Sequence, residues 1–210
     1  TSLARTFRQA FQPLHEAGRL RGLLAQFRYD AMDSPTMRDH LLWLRDQFVE
    51  CAPLIIEVRH VSWQHEDALA FLQSLQATVA VLDYPMSHDS FRLTRNIGAP
   101  DGYFRLHGRN YRGWFASEKE AHEPYNYDYS DPEIDDLSST AQTMLPEVRS
   151  LTIVANNHYR GKAVSAALRL KSDLLKQRVP IPPALLDTYP ALKRFASQEP
   201  GDSGPPDTKM

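Results

Sequence analysis

Apolar and polar positions alternate in blocks along the chain. Leu3, Phe7, Ala10, Phe11 and Leu14 recur at helical spacing and predict a helix over 3–17, with Pro13 as a kink or end and Gly18 as a stop. Leu20–Tyr29 reads as a strand. Ser34-Pro35 supplies a cap and a first-turn proline for a second helix, whose apolar face is Met37, Leu41, Leu44 and Phe48. Pro53–Arg59 is the second strand. Ser62 is expected to cap a helix from about Trp63 to Leu75. Thr78–Asp83 is the third strand, closed by Tyr84-Pro85, and a long loop leads to the fourth, Gly102–His107. Alternation there puts Tyr103, Arg105 and His107 on one face and Phe104 and Leu106 on the other. A loop with Trp114, Phe115, Tyr125, Tyr127 and Tyr129 follows. Asp131-Pro132-Glu133 reads as a helix start, with Asp131 as cap, Pro132 in the first turn and an acid near the positive end of the dipole, and the helix runs to about Val148. Leu151–Ala155 is the fifth strand and Gly161–Lys176 the helix after it. A short terminal helix is expected before Phe195. The first 196 residues thus form one domain, and 197–210, rich in Gly, Pro, Asp and Ser, read as a disordered tail.

Apolar strands alternating with amphipathic helices imply an α/β fold with a parallel sheet covered by helices. A doubly wound sheet and a β/α barrel both fit. The glycine-rich first turn of a nucleotide-binding doubly wound fold does not occur here.

The strands end alike. The first gives Gln26 and Arg28, the second Glu57 and Arg59, the third Asp83, the fourth Arg105 and His107, and the fifth Asn156 and Asn157. Each residue alone has a bland explanation; the coincidence across five strands points to a site, because the carboxyl ends of barrel strands form the catalytic face. Glu57 and Asp83 can accept protons or bind hydroxyls. Arg59 and Arg105 offer planar forks for carboxylate or phosphate. His107 can transfer protons near neutral pH. Arg109 and Arg112 stand beside the site. The expected ligand is small and polar or anionic, under acid/base chemistry of the hydrolase or lyase type. The rival is a non-catalytic protein that binds a ligand or phosphate. No His-x-His or H-E-x-x-H occurs and two arginines would oppose a cation, so no metal is expected. The cofactor and oligomeric state are left open. The loop 114–129 reads equally as a lid over the site or as cover for a barrel rim.

Composition narrows the classes. Hydrophobic residues make up 42%, enough for a core, and the net charge of −2 argues against an extensive nucleic-acid footprint. No window is apolar for 18 residues, so no membrane span is expected. With no leader pattern and one cysteine, Cys51, a reduced cytoplasmic setting is expected. Cys51 has no activating neighbour in sequence and reads as a buried or idle thiol. No G-x-S-x-G elbow is present, and the acidic stretch 128–136 lacks calcium-loop spacing.

Glu57-Val-Arg59-His60-Val-Ser62-Trp63, Asp83-Tyr-Pro85, Tyr103-Phe-Arg105-Leu-His107-Gly108-Arg109, and Asn156-Asn157 with Gly161-Lys-Ala163 stand in order along the chain. In these motifs it resembles the domain of unknown function 72 family, the YecE-like proteins, over about 3–195. The resemblance implies a TIM-type β/α barrel and a pocket of Glu57, Arg59, Asp83, Arg105, His107 and Asn156–Asn157. It implies no established activity. Arg28 stands where the family usually has proline, and Ser165 where it often has asparagine. The resemblance begins at the family's third helix, so strands four to eight are expected here and the chain reads as a fragment or partial barrel, with open sheet edges prone to pairing.

Overall fold

Seven α-helices and six short strands make up the described chain, with 3-10 turns between them. The computed structural model describes residues 2–116, 118 and 120–197; the expected tail over 197–210 lies, but for Ser197, outside the described residues. The order is α1 (Ser2–Glu16), β1 (Leu23–Gln26), α2 (Pro35–Phe48), β2 (Leu54–Glu57), α3 (Glu66–Ser74), β3 (Thr78–Val79), β4 (Val81–Asp83), β5 (Asp101–Leu106), α4 (Tyr111–Phe115), α5 (Asp131–Met144), β6 (Ser150–Ala155), α6 (Lys162–Leu175) and α7 (Pro183–Thr188).

The strands form two three-stranded sheets, β1-β2-β3 and β4-β5-β6. In the first, the pairing is parallel, with Leu23 opposite Leu54, Gln26 opposite Glu57, and Ile56 opposite Val79. Parallel strands separated by helices make this a mixed α/β fold. The expected third strand is two: Thr78–Val79 pairs with β2, Ala80 donates to Ile56 O at 2.9 Å, and Val81–Asp83 joins the other sheet. A sequence reads such a run as one strand because its side-chain alternation continues while its partner changes.

The chain divides into two compact units. One comprises the run to Val81, Met86–Tyr103 and Glu147–Thr152; the other comprises Leu82–Pro85, Phe104–Pro146 and the run from Ile153. The first unit has a core of Leu41, Ile56, Val58, Trp63, Leu72, Val79 and Phe91, all at most 2% exposed. Trp63 is completely buried in it, with its indole N–H donating to Ala31 O at 2.8 Å. β1 is an outer strand of its sheet, and an apolar groove of about 480 Å³ lies along it, lined by Phe7, Phe11, Leu23, Trp43, Leu44 and Phe48. In the second unit α5 packs on α6, burying Ile134, Leu137, Ala141, Met144, Ala166 and Leu170.

Local chemistry sets the element ends. Ser34 caps α2 as expected, its hydroxyl accepting Met37 N–H at 3.2 Å. Gly18, at φ +63°, turns the chain after α1, which carries Pro13 inside it. Three expectations are corrected. Ser62 does not cap α3: its hydroxyl accepts Asp33 N–H at 2.7 Å, a 3-10 turn Val61–Gln64 intervenes, and the ring of His60 accepts Ser62 N–H. The cap of α5 is Ser130 rather than Asp131; Glu133 accepts both the N–H and the hydroxyl of Ser130 at 2.8 Å. That helix ends at Met144, and a 3-10 turn over Leu145–Glu147, containing Pro146, replaces its expected last turn.

Candidate functional site

The polar strand ends form one cluster in each unit. In the first, Glu57 closes β2 with no exposed surface, and Gln26 lies opposite it in the register of β1. Arg59 folds back on Glu57, its Nε 2.9 Å and its Nη2 2.5 Å from the same oxygen, Oε1. The pair is nearly dry, with the Arg59 side chain 11% exposed. A carboxylate this deep requires a cation and further hydrogen bonds to be held as an ion. Arg28, in contrast, is exposed and pairs with Asp30 outside any buried cluster.

The second unit holds Asp83, Arg105, His107, Arg109, Asn156 and Asn157. The main chain brings three of the strand ends side by side: His107 N–H donates to Asp83 O at 2.8 Å, and Asn156 N–H donates to Leu106 O at 2.6 Å. Asp83 has both carboxylate oxygens engaged. Arg109 donates to Oδ1 through Nε at 2.9 Å and brings Nη2 to 2.8 Å from the same oxygen as an ion pair, and Tyr129 donates to Oδ2 at 2.7 Å. Tyr129 in turn accepts Gly108 N–H at 2.8 Å. His107 has no exposed surface. Its Nδ1 lies 3.1 Å from Asn156 Nδ2, and its ring meets Trp114 and Tyr84 edge to face, with centroids 5.5 and 6.5 Å away. Asn157 is turned elsewhere, donating to Tyr127 O at 2.9 Å. Arg105 lies half-buried on β5.

The expected loop over 114–129 supplies much of this cluster. A short helix, α4, leads into it, capped by Asn110, whose side chain accepts Gly113 N–H and donates to Glu123 O. Trp114 reaches His107 and Tyr125, and Tyr125 stacks on His158 at 4.7 Å. Tyr84, Trp114, Tyr127, Tyr129 and Glu133 belong to the site, although the strand-end pattern did not single them out. Tyr129 stands 46 residues from Asp83 in sequence, so no local signal joins them.

Burial and hydrogen bonding shift the groups around Arg109. Burial first, then the carboxylate of Glu133, push the Tyr127 hydroxyl up to about 12. Burial and the charge of Asp83 push Tyr129 far above the usual phenol range. For Glu133, burial works upward, but hydrogen bonds from Tyr127 and Ser130 and the charge of Arg109 hold it below the usual range. A raised folded value means stability that is complete below the unfolded phenol value of about 10 and is lost as the pH rises through the folded one. The Tyr127 contribution is therefore expected to disappear between about pH 10 and about 12. Tyr127→Phe should flatten the alkaline limb of a stability-versus-pH curve in that window, and an unchanged limb would contradict the assignment.

Gly108 turns the chain directly after His107 at φ +86°, where a Cβ would stand 2.6 Å from Tyr127 Cβ. Gly108→Ala should therefore cost about 1–3 kcal/mol, the cost of holding a non-glycine residue in a sparsely populated backbone region, with the clash added. Chemical denaturation measures it, and a loss below about 0.5 kcal/mol would show that the turn relaxes freely.

No three His, Cys, Asp or Glu side chains are grouped as a metal would require among the described residues, and no helix there is long and apolar enough to cross a membrane. The fold and site define an α/β protein of parallel strands and covering helices, with buried ionisable groups at the strand ends. The family described as a protein of unknown function, DUF72, matches residues 1–188, and the chain belongs to that family. A DUF72 family protein from Thermotoga maritima is similar at 32% identity and a TM-score of 0.74, over 81% of this chain and 64% of that one. One from Enterococcus faecalis is similar at 27% identity and a TM-score of 0.76, over 82% and 65%. The chain thus spans just under two thirds of the length of these structures. Among curated proteins, none matches it.

Proposed function

We propose that this chain carries strands four to eight of a TIM-type β/α barrel, with Thr78–Asp83 counted as one strand. On this reading its strand ends bind a small anionic or hydroxylated substrate in the cytoplasm, and Glu57, Asp83 and His107 are the acid/base groups. Arg59 and Arg105 neutralise the anion. Gln26, Arg109, Asn156 and Asn157 orient it.

The observation that supports this most is His107. A histidine with no exposed surface, at a strand's carboxyl end and beside the strand end that carries Asp83, is costly to maintain for packing alone. Buried ionisable groups held by specific partners concentrate at functional sites.

The test is a thermal-shift screen of phosphorylated and carboxylated metabolites, followed by turnover assays on whatever stabilises the protein. Stabilisation with turnover, both lost in His107→Ala, supports an acid/base enzyme. Stabilisation without turnover makes it a binding protein, and no response to any anion ends both readings.

A further inference from the structure

We propose that α4 and the turn after it form a lid on the strand-end cluster of the second unit, latched to the turn ahead of α6 and released by local opening. The proposal rests on the reading above in taking Asp83 and His107 as the site. It adds the segment that controls access to them.

The cover and what it covers differ in depth. His107 has no exposed surface, and the Asp83 side chain is 14% exposed. Among the described residues of 111–128, only Gly113 is buried. A segment that buries so little of itself has little apolar surface to hold it down, and such segments open locally at less than the cost of global unfolding. This segment nevertheless lays Trp114 edge to face on the His107 ring, with centroids 5.5 Å apart.

The pieces of the lid are joined to each other. The Asn110 side chain accepts Gly113 N–H at 3.0 Å and donates to Glu123 O at 2.8 Å. A Cβ at Gly113 would stand 2.6 Å from Glu123 O, so α4 lies directly against the turn. Trp114 also meets the ring of Tyr125 at 6.5 Å.

The latch is reciprocal, each side giving one histidine and one tyrosine. His122 of the lid stacks on Tyr159 at 4.3 Å, and Tyr125 of the lid stacks on His158 at 4.7 Å. Lys162 donates to Asn126 Oδ1 at 2.6 Å, and its ammonium stands 6.0 Å from the Tyr159 ring. The receiving turn is held in shape, with Arg160 at φ +53° and Gly161 at φ +82°, and Arg160 O accepts the Tyr189 hydroxyl at 2.7 Å. Ring stacks and a single lysine–amide bond, on half-buried or exposed groups, are each modest in energy. They hold the lid shut without tying it to the packing of α5 on α6. Lys162, in the Gly161-Lys-Ala163 motif, is on this account a latch residue.

The test is hydrogen–deuterium exchange, read by mass spectrometry on the full chain, on Lys162→Met and on Tyr125→Leu/Tyr159→Leu. Lys171→Met, an exposed lysine of α6, is the control. Amides over 111–126 are expected to exchange about tenfold faster in both latch variants and unchanged in the control, with α5, α6 and the urea midpoint unaffected. The second readout is carbethoxylation by diethyl pyrocarbonate, measured on the tryptic peptide 106–109, whose one histidine is His107. Its rate should rise with the exchange rate. Lid exchange that stays the same in the latch variants, or rises only together with α5 and α6, overturns the latch. Faster lid exchange with no change at His107 overturns the covering role. If both rates rise and no anion binds, the lid stands and the ligand reading falls.

Discussion

Glu57→Ala is expected to cost about 3–5 kcal/mol of stability, among the largest losses of any single substitution in the chain. Glu57 has no exposed surface, and Arg59 places both Nε and Nη2 on its Oε1 at 2.9 and 2.5 Å. Removing the carboxylate leaves the guanidinium, on a side chain 11% exposed, without this counter-charge. The desolvation cost of the cation then loses the offset this carboxylate supplies, whereas the intact pair is close to neutral in net energy. For a protein of this size the loss corresponds to a fall in Tm of about 6–20 °C. The double variant Glu57→Ala/Arg59→Met should recover part of it, since both charges of the pair are removed together. Unfolding in urea checks both, and a single-variant loss below about 1 kcal/mol would show that water reaches the pair.

Trp63→Ala should cost a similar amount, about 3–5 kcal/mol, for a different reason. Trp63 is completely buried in the first unit's core, stacked near Phe71, and its indole N–H is satisfied by Ala31 O at 2.8 Å. Truncation opens a cavity and orphans a carbonyl. Trp63→Phe keeps most of the apolar volume, so it should cost only the lost hydrogen bond and a smaller void, about 1–2 kcal/mol. Equal losses in the two variants would contradict the packing account and point to the hydrogen bond as the dominant contribution.

The sequence showed most of the elements, because their signals are local. Ser34-Pro35 is a cap and first turn in the structure as in the pattern. The apolar runs around Ile56, Phe104 and Ile153 became strands, and the polar residues after them lie at strand ends. What it could not show depends on distant partners. Ser62 was expected to cap a helix because serine is a good cap; Asp33, 29 residues away, takes its hydroxyl instead. Ser130 lost the cap reading to the stronger-looking Asp131-Pro132, although the reciprocal Ser130–Glu133 spacing was there to be read. The change of partner at Ala80 leaves no mark in side-chain alternation. Asp83 reads in the sequence as an acid able to accept a proton or bind a hydroxyl, and the structure gives both its oxygens to Arg109 and Tyr129. Family membership came from residues spread along the chain, and it carries no activity with it.

The central claim is that the buried strand-end groups serve a ligand. Its most direct measurement is calorimetric titration of the protein with the anion that stabilises it most, repeated on His107→Gln and on Tyr111→Ser, an exposed control residue of α4. The account predicts binding at one site, at least tenfold weaker in His107→Gln and unchanged in Tyr111→Ser. Equal affinity in all three proteins would contradict it.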